Sequence, residues 1–190
     1  MGLQMSEKLS ALLEMSLEEQ KISFRDLTDS AADISALQDV LFEPLQQFLL
    51  QTDCSGAFIV LNATVNSFAE NAEHSRTGIF LELGGNSVSQ DVLLYRGIAR
   101  VGKKYGVFPH RKWRLEFRTD SFPDFQESMA AADLPAGRNY RFSSLFTLPG
   151  TSERAVLLTF PLAGRDGSVY GLCGFEISED LFKKEHAQSS

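Results

Sequence analysis

Three short segments hold the residue types from which this chain can build a site for a charged small molecule. Tyr95-Arg96 ends an apolar run, His110 to Arg114 reads His-Arg-Lys-Trp-Arg and holds the single tryptophan, and Asn139 to Phe142 reads Asn-Tyr-Arg-Phe. A guanidinium grips a carboxylate through two parallel N–H donors, and the face of a Trp or Tyr covers an apolar or cationic body. Arg96, Trp113, Arg114 and Tyr140 are therefore the candidate ligand-binding residues, for a small molecule that can bear a carboxylate. A plainer reading of the same residues puts Trp113, Tyr140 and Phe142 in the core and the arginines on the surface. Between Arg96 and Arg118 stand eight bases and one acid, Glu116, whereas residues 1–53 hold ten acids and three bases. Such blocks are either solvated faces of opposite sign that touch each other or a partner, or a basic mouth that draws in an anion.

Catalysis finds little support in the residue types. The three histidines, His74, His110 and His186, have neither i, i+4 spacing nor a neighbouring metal motif, so no metal site is expected. There is no nucleophile elbow, no P-loop, no dinucleotide fingerprint, and no carboxylate pair that the sequence places face to face. No catalytic residue and no cofactor is assigned. Ser168 falls in a turn, and Cys54 and Cys173 lack a flanking base, which makes them small buried hydrophobes rather than reactive thiols. The triplet Asn62-Ala63-Thr64 matches a glycosylation acceptor but lies at a strand end.

The elements that must position these residues follow from periodicity. At 190 residues, 43% of them hydrophobic and 15 of them Phe, the chain is long and apolar enough to bury a full core. From about Leu9 to Thr52 the stripe Leu13, Leu17, Phe24, Leu27, Ala31, Ile34, Leu41, Leu45 and Phe48 keeps helical spacing, with Gln20 and Gln38 as exceptions. A break is expected near Thr28, with Asp29 or Ser30 capping a new start, and Pro44 is expected to end or kink a helix at about Glu43. The stripe belongs either to helices packed on the chain's own sheet or to a long stalk that pairs with a second copy through residues 9–52. After Asp53 the period becomes that of strands. Gly56 to Ala63 and Thr77 to Leu83 should pair, with a turn at Gly84-Gly85-Asn86. Ser89 to Tyr105 reads as a helix started by Ser89-Gln90-Asp91, Trp113 to Phe117 as a short strand, and Pro123 to Asp133 as a helix followed by a Pro135-Ala136-Gly137 turn. Tyr140 to Leu148 is extended. Ala155 to Ser178 is a hairpin about Asp166-Gly167, and Glu179 to Glu185 is a short exit helix before a frayed tail. Gly171 and Gly174, inside the last strand, mark places where a ligand, a helix or a neighbouring strand comes too close for a side chain. The fold class is α+β, in two parts: a helical segment, residues 1–53, and a sheet-bearing unit, residues 54–190.

The N-terminal helix running into Gly56-Ala57-Phe58-Ile59-Val60-Leu61, and the ending Phe160-Pro161-Leu162 followed by Asp166-Gly167-Ser168-Val169-Tyr170-Gly171-Leu172-Cys173-Gly174-Phe175-Glu176-Ile177-Ser178, resemble bacterial extracellular Cache sensor domains in their single-module form. That resemblance implies a PAS-like antiparallel sheet of about five strands and a non-catalytic ligand sensor. It further implies a place on the outer side of a cell membrane, and an output module, such as a transcription regulator, moved by helix displacement. The alternative is a cytoplasmic PAS- or GAF-like module that dimerises without a ligand. With a net charge of -7, nucleic acid is not expected as a partner of this domain. The longest apolar runs, about five residues, fall far short of the roughly 20 that a spanning helix needs.

Overall fold

The computed structural model describes residues 1–84, 91–132, 134, 135 and 138–189. In chain order the elements are α1 (Gly2–Gln20), α2 (Ala31–Gln51), β1 (Gly56–Leu61), β2 (Ser75–Arg76), β3 (Gly78–Gly84) and β4 (Asp91–Arg96). There follow α3 (Ala99–Lys104), β5 (Phe108–Arg114), β6 (Phe117–Arg118), α4 (Phe125–Ala131), β7 (Arg141–Phe142) and β8 (Phe146–Thr147). The long strands β9 (Arg154–Ala163) and β10 (Val169–Ser178) and the helix α5 (Glu179–Ser189) end the chain. An eight-stranded sheet runs β5-β4-β3-β1-β10-β9-β7, with β8 also on β9, and β2 pairs with β6 separately. The α+β class is as expected. The sheet is larger than the five strands expected, and it is mixed, because β4 and β5 are parallel.

The first helical stretch is two helices rather than a stalk. Lys21 adopts a left-handed conformation that ends α1, with its N–H on Glu18 O and that of Ile22 on Leu17 O. A short 3-10 turn, Phe24–Leu27, follows under a Ser23–Asp26 capping box. Ser30 then stands at the N-cap of α2 and donates to Asp33 Oδ2 at 2.5 Å. Pro44 sits inside α2, which continues to Gln51. The bond it forfeits belongs to the carbonyl of Val40, an exposed residue, where water can replace the missing N–H.

Both helices lie on one face of their own sheet. Leu9, Leu13, Leu17, Ile34, Leu41 and Leu45 join Ile59, Ile79, Leu81, Leu162 and Phe175 in one buried cluster. Polar side chains at i, i+4 spacing pin α1 to β9 and the loop after it: Ser6 Oγ donates to Pro161 O (2.6 Å), Ser10 Oγ accepts from Ala163 N (3.1 Å), and Glu14 Oε1 accepts from Arg165 N (2.7 Å). Gln38, an exception in the apolar stripe, is 1% exposed and serves as a clamp. Its Nε2 donates to Thr77 Oγ1 (3.0 Å), and its Oε1 accepts from the backbone N–H of Ile98 (3.0 Å) just before α3.

The opposite face holds a second cluster of Phe58, Val60, Phe80, Tyr95, Phe117, Phe122, Phe125, Leu148, Leu157 and Leu172. Its cover is the chain from β6 to β8, including α4. With side chains buried on both sides, β1 shows no polar position, as a strand covered on both faces should.

Residues 91–96 correct the expected helix from Ser89 to Tyr105. Asp91–Arg96 is strand β4, and only Ala99–Lys104 is helical. Leu94 faces the helix-side cluster and Tyr95 the other, so a strand buries both where a helix on the surface would bury one stripe. The expected strand at Trp113–Phe117 is split between two: β5 begins five residues earlier at Phe108 and ends at Arg114, and Phe117 opens β6. The α4 helix falls within the expected Pro123–Asp133. Helix α5 extends to Ser189, past the expected end at Glu185. Residues 85 and 86 of the expected turn, Ser89 and Gln90, Asp133, and the Ala136-Gly137 turn lie outside the described residues.

The closing hairpin is present, through a five-residue loop in which Gly164 N donates to Ser168 O and Gly167 has φ 87°. A Cβ on Gly171 would lie 2.0 Å from Val60 O, and one on Gly174 1.9 Å from Leu158 O. Neighbouring strands, not a ligand, occupy the space that these two glycines leave.

Candidate functional site

A cavity of about 510 Å³ opens on the second face, between the sheet and the chain from β5 to β8. Phe80, Tyr95, Phe117, Phe122, Phe146 and Leu157 give it apolar walls. Five bases, Arg96, Arg111, Lys112, Arg114 and Arg118, also line it, and no acid does. Arg118 pairs with Asp120 at 3.0 Å, whereas Arg111, Lys112 and Arg114 have no ion pair among the described residues. The sequence placed a single acid, Glu116, in this basic stretch. Its carboxylate is held elsewhere, accepting from Thr64 Oγ1 (2.6 Å), Val65 N (3.0 Å) and Ser75 Oγ (2.6 Å), which ties the chain from Thr64 to Ser75 to the turn between β5 and β6.

Arg96 is the inner cation. It ends β4 opposite Arg114 of β5, and it is 6% exposed. Its Nη1 donates to Tyr95 O (2.7 Å) and Lys112 O (3.0 Å), and its guanidinium carbon lies 3.9 Å from the Tyr95 ring centre. Burial lowers its affinity for a proton, and the nearby Arg114 adds to that effect. Among the described residues no ion pair engages Arg96, and a buried cation without one is suited to an anion. Tyr95 is held by its hydroxyl, which donates to Pro149 O, and burial pushes its pKa up. Trp113 is half-buried, packs beside the helix-side cluster, and donates from Nε1 to Gly97 O at 2.9 Å. His110 meets the Tyr95 ring edge-on, and burial and then Arg111 lower its pKa, which favours the neutral imidazole.

Three of the four residues singled out in the sequence, Arg96, Trp113 and Arg114, thus line one cavity. Tyr140 does not join them. It precedes β7, whose Arg141 stands beside Thr159 and whose Phe142 stands beside Leu158, so Tyr140 and Phe142 share the alternate phase. Tyr140 lines a separate groove with Met1, Gly2, Leu3, Phe160 and Phe175, beside the start of α1. Part of the charge asymmetry is internal, since Lys104 of α3 pairs with Asp39 of α2 at 2.9 Å. Both cysteines are free and buried. Burial pushes the Cys54 thiol up to about 12 and raises that of Cys173 as well.

The site-side face also brings together a pair that the sequence could not place. Glu82 of β3 and Glu176 of β10 both stand opposite Gly56 of β1, one on each side. They are 5% and 2% exposed. Their carboxyls meet above Gly56, near enough that each acts on the other's titration, and Ser55 Oγ donates to Glu176 Oε1 at 2.7 Å. Burial, and then the charge of Glu176, hold the Glu82 carboxyl well above the usual carboxylate range; burial raises that of Glu176 too. The visible signal was a lone acid within each apolar strand run, Phe80-Leu81-Glu82-Leu83 and Gly174-Phe175-Glu176-Ile177.

Among the described residues no group of three or more His, Cys, Asp or Glu side chains is placed to hold a metal ion, and no helix is long and apolar enough to cross a membrane. No family model matches the chain, and no characterised protein matches it in sequence.

Proposed function

We propose that this chain is a non-catalytic ligand-sensing module whose cavity over β4 and β5 takes a small anion with an aromatic or apolar body. One observation carries the reading: a cavity of about 510 Å³ with aromatic walls, five lining bases and no lining acid. The body of such a ligand gains from leaving water, and its anion meets Arg96 within and Arg111, Lys112 and Arg114 at the margin. Through its likeness to the Cache sensors, the module is the signal-input part of a bacterial signal-transduction or transcription-regulatory protein, on the outer side of the membrane. The path for a signal is short, since β10 runs directly into α5 and pairs with β1, which α2 leads into. A ligand acts on those helices only so far as it binds their alternative positions with different affinity.

A thermal-shift screen against organic acids, amino acids and small amines tests this. Aromatic or apolar acids are expected to raise the unfolding midpoint, and amines of the same shape are not. Equal shifts with acids and amines, or none with either, would remove the reading.

A further inference from the structure

The strongest unassigned feature outside the cavity is the Glu82–Glu176 pair. Taking two ionised carboxylates out of water side by side is far costlier than sharing one proton between them. The strands enforce the approach. Gly56 lies between the two residues; a Cβ there would stand 2.9 Å from Leu81 O and 3.2 Å from Glu82 Oε2, so the glycine lets the strand backbone and the Glu82 carboxyl approach closely. No N–H or O–H among the described residues reaches Glu82 Oε1 or Glu176 Oε2, and a proton held between the carboxyls would give both a partner.

The place of the pair in the fold gives the proton a task. Gly56 is the first residue of β1, five residues beyond α2, and Glu176 lies three residues before α5. Ser55 bonds Glu176 twice more, its Oγ donating to Glu176 O at 3.0 Å and its N–H to the same oxygen at 2.8 Å. Charged and titratable groups act on the pair from each neighbouring element. Arg96 favours ionisation of Glu82 from β4, Glu153 ahead of β9 opposes ionisation of both, and Cys54 and Tyr95 also lie within electrostatic reach. Glu179 of α5 is engaged with Arg154 and Lys183.

We propose that Glu82 and Glu176 form a one-proton site that latches the joint where α2 leads into the sheet to the joint where α5 leaves it, and that release of the proton to solvent opens both. Because the pair titrates as a unit, the proton belongs to neither residue alone. The folded chain keeps a proton that the unfolded chain gives up near the ordinary Glu value of about 4.3, so stability falls as pH rises from there through the folded value.

The test uses the full chain and Glu82→Gln, whose amide N–H replaces the shared proton and has no charge to gain. Unfolding midpoints and amide exchange are followed from roughly pH 5 to 9. Subtracting the variant's profile removes every other titrating group. The wild-type midpoint is expected to fall with pH relative to Glu82→Gln. Its amides at Ser55 to Ala57 and Glu176 to Glu179 should exchange about tenfold faster than the variant's at the alkaline end, and equally at the acid end. Parallel midpoints and equal exchange throughout would overturn the proposal. If Glu82→Gln does not fold, carbon-13 NMR of the wild-type glutamate carboxyls decides: one carboxyl still protonated at neutral pH supports the latch, and both ionised with the joint intact refutes it.

Discussion

Arg96 does two tasks at one position, and its replacement should separate from that of Arg114. Arg96→Ala removes a donor from Tyr95 O and Lys112 O and opens space under the Tyr95 ring, so a loss of about 1–3 kcal/mol is expected in denaturant unfolding. Arg114 is exposed, and Arg114→Ala should leave stability within about 0.5 kcal/mol while weakening anion binding. Equal destabilisation by both would mean that the outer base is structural. Cys54 and Cys173 should resist a thiol reagent in the folded chain and react only in denaturant, since burial keeps both protonated. Arg96, Trp113 and Arg114 were legible in the sequence because bases and a lone Trp stand out beside apolar strands. Tyr140 stands apart from them because the phase of a two-residue strand is set by its pairing with β9, which the local sequence does not encode. The carboxyl pair was hidden for a related reason: Glu82 and Glu176 meet only through the lateral register of three strands distant in sequence.

Elements were legible where one residue type settles the geometry. Ser30 marked the start of α2, the Asp166-Gly167 region marked the closing hairpin, and the glycines of β10 marked tight strand packing. Gly174→Ala would set a methyl 1.9 Å from Leu158 O, so β9 and β10 must part. A loss above about 2 kcal/mol is expected, and a variant that unfolds at the wild-type denaturant midpoint would contradict the packing. Pro44 does not end the helix, because a helix anchored by Leu41, Leu45 and Leu49 on a sheet tolerates one absent hydrogen bond. Pro44→Ala should restore that bond and raise the midpoint, by up to about 3 kcal/mol of stability. β4 departs from the expected helix for the opposite reason. Asp91 to Arg96 has no strong helix or strand signature of its own, and its burial on both faces decides its form.

Across the whole molecule, two apolar layers sandwich the sheet, one made by α1 and α2 and the other by the chain from β6 to β8. Residues 54–190 alone would expose Ile59, Ile79, Leu81, Cys173 and Phe175 to water, so a chain lacking residues 1–53 should not show a cooperative thermal transition. The helical stripe was legible as a stripe, but not its partner, because a heptad pattern is the same whether a sheet or a second helix covers it. The basic cavity stands on the far side of that sheet, and Trp113 of β5 borders it between Lys112 and Arg114 while its ring packs beside the helix-side cluster. The most direct test is therefore a titration of Trp113 fluorescence with benzoate and with benzylamine, on the wild type and on Arg114→Gln. Benzoate should change the emission saturably, benzylamine should not, and Arg114→Gln should weaken benzoate about tenfold, as expected for loss of one charged hydrogen bond. An equal response to benzylamine, or benzoate binding untouched by Arg114→Gln, would contradict an anion site at this cavity.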